Sequence, residues 1–83
     1  MKKYLVDVYL PAANRHYDVL IPAGKPVAEA TRLLVSLAES LSGGSYEGTA
    51  QAILLDAESG LPLCREDTVY DAGIRNASRL ILI

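Results

Sequence analysis

One helical stripe, preceded and followed by segments that alternate like strands, is the feature that most constrains what this chain can fold into. Apolar residues recur at helical spacing after Pro26, a residue that suits the first turn of a helix. The stripe consists of Val27, Ala30, Leu34, Leu37, Ala38 and Leu41. Because one helix can cover only one face of a sheet, the strands must form a sheet whose second face stays uncovered.

Two strands precede the helix. Residues 4–10 and 16–21 each alternate with period two, and the turn from Pro11 to Arg15 separates them. This arrangement predicts an N-terminal hairpin. The helix is expected to run from about Val27 to Leu41 and to end at Ser42-Gly43-Gly44, where glycine suits a left-handed cap.

Three shorter strands are expected after the helix, at Ala52–Leu55, Leu61–Arg65 and Arg79–Ile83. The second of these suits a sheet edge, because Pro62 has no N–H to donate to a neighbouring strand. A polar loop at Ser45–Thr49 leads into the first, and a short helical turn at Thr68–Ala72 comes before the last. The predicted order is β-β-α-β-β-β, in a single domain of residues 1–83.

Composition and charge narrow the function classes. The net charge is −2, and the 8 basic residues are spread along the chain, so neither nucleic acid nor a polybasic membrane anchor is expected. The apolar run near the start is broken by Asp7, and no stretch approaches the ~20 apolar residues of a membrane span. One cysteine, Cys64, cannot form an internal disulfide and favours a cytoplasmic setting.

Candidate chemical groups are few and isolated. His16 is the only histidine, and it is predicted at the hairpin with Asp18 on the same strand face but with no nucleophile beside it. Cys64 beside Arg65 is interpreted as a structural residue of an edge strand. The carboxylates Asp56, Glu58, Glu66 and Asp67 do not have the spacing of a calcium loop. We therefore expect no enzymatic activity, no metal and no cofactor.

The order of elements resembles the ubiquitin-like β-grasp fold. The pattern Thr68-Val69-x-Asp71-x-x-Ile74, followed by Ser78-x-Leu80-x-Leu82, is similar to the corresponding part of ubiquitin. The resemblance implies an α+β fold with a mixed sheet, one helix packed across one face, and the first and last strands parallel at the centre.

A narrower similarity rests on Tyr17-Asp-Val-Leu-Ile-Pro-Ala23, then Lys25-Pro26-Val27 and a leucine-rich helix. These residues resemble the YukD/EsaB family of small ubiquitin-like proteins associated with bacterial type VII secretion. The similarity implies a non-enzymatic cytoplasmic accessory or regulator of such a system, with protein partners among its machinery.

Ubiquitin and the sulfur carriers differ from this sequence at the carboxyl end. They extend a flexible tail ending in Gly-Gly, whereas Ile83 is predicted to lie within the last strand and Gly43-Gly44 is internal. Conjugation is therefore not expected. Two alternatives stay open: a carboxyl-terminally activated modifier or sulfur-carrier-like protein, and the soluble ubiquitin-like domain of a larger membrane protein.

Strand alternation assigns residues to the two faces of the predicted sheet. The expected core is Val6, Val8, Val19, Ile21, Val27, Ala30, Leu34, Ile53, Leu55, Leu63, Ile74, Leu80 and Leu82. The apolar residues expected on the opposite face are Leu5, Tyr9, Leu20, Leu54, Ile81 and Ile83. We expect them to form a contiguous protein-docking patch, as the corresponding face does in ubiquitin, with a weak homodimer through the same face as an alternative.

Overall fold

The computed structural model describes residues 2–41, 43 and 52–83. The elements within them are β1 (Lys3–Leu10), β2 (Arg15–Pro22), α1 (Val27–Leu41), β3 (Leu54–Asp56) and β4 (Arg79–Leu82). The strand order across the sheet is β2-β1-β4-β3. β1 pairs antiparallel with β2 and parallel with β4, and β3 pairs antiparallel with β4. The predicted mixed sheet, with its first and last strands parallel at the centre, is confirmed.

The helix has the predicted bounds, and its first turn is tied to a distant segment of the chain. The N–H of Val27 donates to the carbonyl of Asp67 at 2.8 Å, and the N–H of Ala28 donates to the carbonyl of Arg65 at 3.0 Å. These bonds satisfy two of the amides that a helix leaves free at its start. After the helix, Gly43 has a φ of 63°, as the predicted glycine cap requires. Ser42, Gly44 and the predicted loop Ser45–Thr49 lie outside the described residues.

The core lies between α1 and one face of the sheet. The predicted core residues that are buried are Val6, Val8, Ile21, Val27, Ala30, Leu34, Ile74, Leu80 and Leu82. Val19 and Leu63 are only partly buried, and they pack against this core. The largest buried side chains that are not in the predicted core include Tyr4, Leu10 and Val69.

The predicted assignment of the side chains around β3 to the two faces of the sheet is wrong, because it is shifted by one residue. Ile53 and Leu55 were expected in the core and Leu54 on the opposite face, but Leu54 is 3% exposed and Ile53 is 42% exposed. Leu54 pairs with Leu82, which is fully buried, and residues directly opposite each other in a ladder share a face. The segment Ala52–Leu55 is apolar at every position, so its sequence gives no alternation from which to assign the faces.

The strand expected at Leu61–Arg65 is reduced to one bridge, between Pro62 and Leu55. Pro62 has no N–H and so cannot continue a regular ladder. Two backbone bonds nevertheless hold this segment against β3: the N–H of Leu63 donates to Leu54, and the N–H of Asp56 donates to Leu61, both at 3.0 Å. The outer edge of β3 is therefore covered.

Candidate functional site

The face of the sheet that α1 does not cover is called the outer face here. In β1 the residues alternate strictly: Tyr4, Val6, Val8 and Leu10 are buried, so the side chains between them lie on the outer face. The register extends this face across the neighbouring strands. One row runs from His16 in β2 through Tyr9 in β1 and Ile81 in β4 to Leu55 in β3.

Five apolar side chains gather at one end of the outer face, and we call them the outer cluster: Tyr9, Ile53, Leu55, Ile81 and Ile83. Tyr9, Ile81 and Leu55 are consecutive in one row of the register. Ile53 and Ile83 extend it, since the two residues exchange both backbone bonds, at 2.9 and 3.0 Å. Ile53 is 42% exposed and Ile83 51% exposed, so the cluster presents a substantial aliphatic surface.

Tyr9 has a fixed orientation within the outer cluster. Its hydroxyl donates to Oδ1 of Asn14 at 2.9 Å, and its ring centroid lies 4.5 Å from that of His16. Asn14 itself sits in the hairpin turn with a φ of 50°, a conformation that asparagine adopts more readily than most residues. The turn thus positions an aromatic ring at the border of the cluster.

A polar row divides the outer face. Asp18 and Asp7 face each other across the β1–β2 ladder, and Arg79 lies beside Asp7 in the parallel ladder. Beyond this row, Leu5 and Leu20 face each other and are 48% and 57% exposed. The predicted contiguous patch is therefore two apolar groups with charges between them.

The structure places Leu5, Tyr9, Leu20, Ile81 and Ile83 on the outer face, as expected. The assignment of Leu54 to that face is wrong, because its pairing with Leu82 turns it into the core. Sequence reasoning missed Ile53 and Leu55, which take its place. The role of this face in docking stays a prediction.

Two titratable side chains of the outer face, His16 and Asp7, form a close pair. Nδ1 of His16 lies 3.0 Å from Oδ2 of Asp7, across the hairpin and not on its own strand, where Asp18 was expected to be its neighbour. The side chain of His16 is 63% exposed. Cys64 is exposed and unpaired, and no three metal-ligating side chains come together in the described part of the chain. This pair can orient the ring of His16 against Tyr9.

No helix among the described residues is long and apolar enough to cross a membrane.

Solved structures with this fold include ubiquitin-like domains of type VII secretion proteins. The ubiquitin-like domain of Mycobacterium tuberculosis ECCD1 matches with a TM-score of 0.69 and 22% identity, over 100% of this chain and 99% of that chain. The ubiquitin-like domain of EccD5 from Mycobacterium xenopi matches with a TM-score of 0.75 and 16% identity, over 100% and 94%. A chain of the MycP5-free ESX-5 inner membrane complex matches with a TM-score of 0.74 and 19% identity; the match covers all of this chain but 21% of that one.

No protein-family model matches the sequence, and no curated protein matches it. At these identities, likeness to solved structures establishes the fold. The chain has the ubiquitin-like β-grasp fold, as its sequence predicts. The narrower similarity to YukD/EsaB stays a prediction.

Proposed function

We propose that this protein is a non-enzymatic, cytoplasmic ubiquitin-like interaction module of a bacterial type VII secretion system, and that it docks on a component of the secretion machinery through the outer cluster. The observation that carries this proposal is the position of the cluster: five apolar side chains on the one sheet face that the helix leaves uncovered. Exposed apolar patches with polar borders are typical of protein-docking sites on small domains.

The arrangement of the outer face suits a protein partner. Interfaces combine an apolar centre with a polar rim, and a few central side chains carry most of the binding energy. Here Ile81 lies between Tyr9 and Leu55, while His16 and Arg79 lie at the border. We therefore expect Ile81 to be the residue on which binding depends most strongly.

The structural neighbours support the choice of partner. One of them belongs to an inner membrane complex, and the ubiquitin-like fold accounts for 21% of that chain. A domain of this fold can thus be part of a longer chain within a membrane complex. The soluble domain of a larger membrane protein is also an alternative for this chain. A component of the membrane complex is the partner we propose to test first.

The test compares two substitutions that place an aspartate on opposite sides of the molecule. Ile81→Asp changes the centre of the outer cluster, and Leu41→Asp changes a leucine of α1 that is 54% exposed. Both tagged variants are expressed in the host. Mass spectrometry then quantifies the membrane components of the host's secretion system that co-purify with each variant. We expect Ile81→Asp to lose them and Leu41→Asp to retain them, with both variants folded by circular dichroism. Retention by Ile81→Asp would refute the proposal.

The carboxyl-terminally activated modifier makes a different prediction. Activation would produce covalent adducts, which intact-mass spectrometry of protein purified from the host would detect at the carboxyl terminus. Our proposal expects the unmodified mass in cells in which the secretion system is active. An adduct that disappears when the carboxyl-terminal residue is deleted would favour the alternative.

A further inference from the structure

The end of the outer face that lies away from the outer cluster carries two exposed leucines, which we call the leucine pair. Leu5 and Leu20 lie directly opposite each other in the β1–β2 ladder, and their side chains are 48% and 57% exposed. The backbone of Leu5 is held in place, because its N–H donates to Oδ1 of Asn76 at 2.9 Å. The fold thus presents a small aliphatic surface in a fixed position.

The backbone bonds show that the two side chains of the leucine pair are close together. Leu5 accepts a bond from the N–H of Ala77, so its backbone groups are directed toward β4. The alternate residues of β1 bond toward β2, in agreement with the bond from Ala23 to Lys2 at 2.9 Å. Leu5 and Leu20 therefore form a non-hydrogen-bonded pair, the kind in which opposing side chains lie closest.

Opposite charges lie on the two sides of the leucine pair. Lys3 precedes Leu5 by two residues, whereas Asp7 follows it by two residues and has Asp18 directly opposite. Two residues of a strand span about 6.6 Å, so the positive and the negative groups are equally far from the pair. Lys3 and Asp18 are exposed, and neither forms an ion pair with another described residue.

This arrangement is complementary to a second copy of itself. A two-fold axis in the plane of the outer face, crossing β1 at Leu5, reverses the strand direction and sets the same face of a second copy opposite the first. Each leucine pair then packs on the leucine pair of the other copy. Lys3 of each copy lies over Asp7 of the other and close to Asp18, because both rows are two residues from the axis. Such a contact is isologous, so it closes at two copies.

A depression beside the leucine pair leaves room for the incoming lysine. It has a volume of about 590 Å³, and its lining includes Leu5, Asp7, Asp18, Asn76 and Ala77. The aliphatic stem of a lysine can cover Leu5 while its ammonium group reaches the carboxylates, as long basic side chains commonly do. A positive charge there also relieves the repulsion between two carboxylates that face each other across a ladder.

We propose that two copies of this chain associate through the leucine pair, with Lys3 of each copy bound to Asp7 and Asp18 of the other. The apolar contact drives association, and the ion pairs fix the relative orientation of the two copies. The facing side chains are few, so we expect the interface to bury less than the roughly 1,200 Å² of a stable complex. The dimer is therefore reversible, with an expected dissociation constant of about 0.1–1 mM.

The dimer leaves the outer cluster free. Tyr9, where the cluster begins, lies four residues beyond Leu5, on the far side of the charged row from the axis. Ile81 and Leu55 follow Tyr9 in the same row. Each dimer thus presents two outer clusters, which would increase the avidity for an assembly with two binding sites. The association itself does not rest on the function proposed above.

The oligomeric state in solution tests this proposal. Amide chemical shifts of the isotope-labelled protein are recorded from about 0.03 to 3 mM, a range that brackets the expected dissociation constant. We expect the shifts of Leu5, Leu20 and their neighbours to change with concentration, and that of Ile81 to stay constant. Diffusion measurements by NMR over the same range report the change in molecular size.

The matched variants are Lys3→Glu and Lys2→Glu. They make the same change of charge at neighbouring positions, but Lys2 lies on the face of Tyr4, with its ammonium group 5.4 Å from the ring centroid. Lys3→Glu brings like charges together twice in each dimer, so we expect it to weaken association about tenfold or more. Lys2→Glu should change association less than about twofold. Circular dichroism checks that both variants are folded.

A mixture of two variants tests the pairing of Lys3 with Asp18 directly. Labelled Lys3→Glu protein is mixed with unlabelled Asp18→Lys protein. In the mixed dimer, one contact keeps the native lysine and both native carboxylates, and the other places the new glutamate beside the new lysine. We therefore expect the mixed dimer to form more tightly than either variant forms with itself, as shown by shifts of Leu5 and Leu20 in the labelled protein.

Three results would overturn this proposal. The first is a monomer whose shifts do not change with concentration up to about 3 mM. The second is a dimer that Lys3→Glu does not weaken, since a contact elsewhere, such as the edge of β2, would then hold it. The third is a dimer that Ile81→Asp abolishes, which would place the contact in the outer cluster. Loss of the secretion components by Ile81→Asp with unchanged dimerisation would show that the two surfaces act separately.

Discussion

At the scale of single residues, the polar row of the outer face contains an unfavourable pair. Asp7 and Asp18 occupy directly opposite positions, and like charges at such positions destabilise a ladder. Asp7 has His16 as a partner at 3.0 Å, whereas Asp18 has none among the described residues. Removing the charge of Asp18 would therefore relieve a repulsion with Asp7 without breaking an ion pair among the described residues.

We predict that Asp18→Asn raises the free energy of unfolding by about 0.2–1 kcal/mol, the range for cross-strand pairs. The substitution keeps the side-chain shape and removes the charge facing Asp7. Urea denaturation at low salt measures the effect, and added salt should reduce it. In an Asp7→Asn background the gain should vanish; a gain of the same size there would show that repulsion by Asp7 is not its cause.

At the scale of elements, the bounds and faces of a segment could be predicted where apolar and polar residues form a clear pattern within it. β1 alternates between aliphatic and other side chains, and α1 has a proline at its start and glycine at its end, so their bounds and faces could be predicted. β3 is apolar throughout and only 3 residues long. Its faces depend on the register with β4, which is a tertiary property that a single sequence does not carry.

Two neighbouring substitutions can test which side chains around β3 face the core. Leu54→Ala removes a core side chain and should cost about 2–5 kcal/mol of unfolding free energy. Ile53→Ala, on the outer face of the same strand, should cost about 1 kcal/mol or less. Chemical denaturation of both variants measures the difference. If Ile53→Ala lowered the unfolding free energy more than Leu54→Ala, the assignment expected from the sequence, with Ile53 in the core, would be supported instead.

At the scale of the whole molecule, the described strands form a sheet in which the edge of β3 is covered by the segment around Pro62 and the edge of β2 has no strand neighbour. The outer-face positions could largely be predicted from alternation, as Tyr9 and Ile81 show. The division of that face by Asp7, Asp18 and Arg79 could not, because it depends on which residues the register brings together. Likewise, the position of β2 at an edge of the sheet can be recognised only from the strand order.

Hydrogen exchange of the free protein should show the open edge as an alternating pattern. We predict fast exchange for the amides of His16, Asp18 and Leu20 and slow exchange for those of Val19 and Ile21, which bond to β1. Amide exchange followed by NMR in dilute protein resolves these positions. Uniform protection along β2 would mean that its edge is already paired.

The parallel pairing at the centre of the sheet also governs how the chain can acquire structure during its synthesis. Asp7 pairs with Arg79, so the first strand obtains its central neighbour only when residues 72 positions later have been made. The hairpin of β1 and β2 forms early, but a two-stranded hairpin alone is marginally stable in water. A nascent chain on the ribosome would thus carry an unsupported hairpin, with its aliphatic residues exposed, until β4 emerges. Contacts so distant along the chain slow folding and lengthen the period in which chaperones can bind.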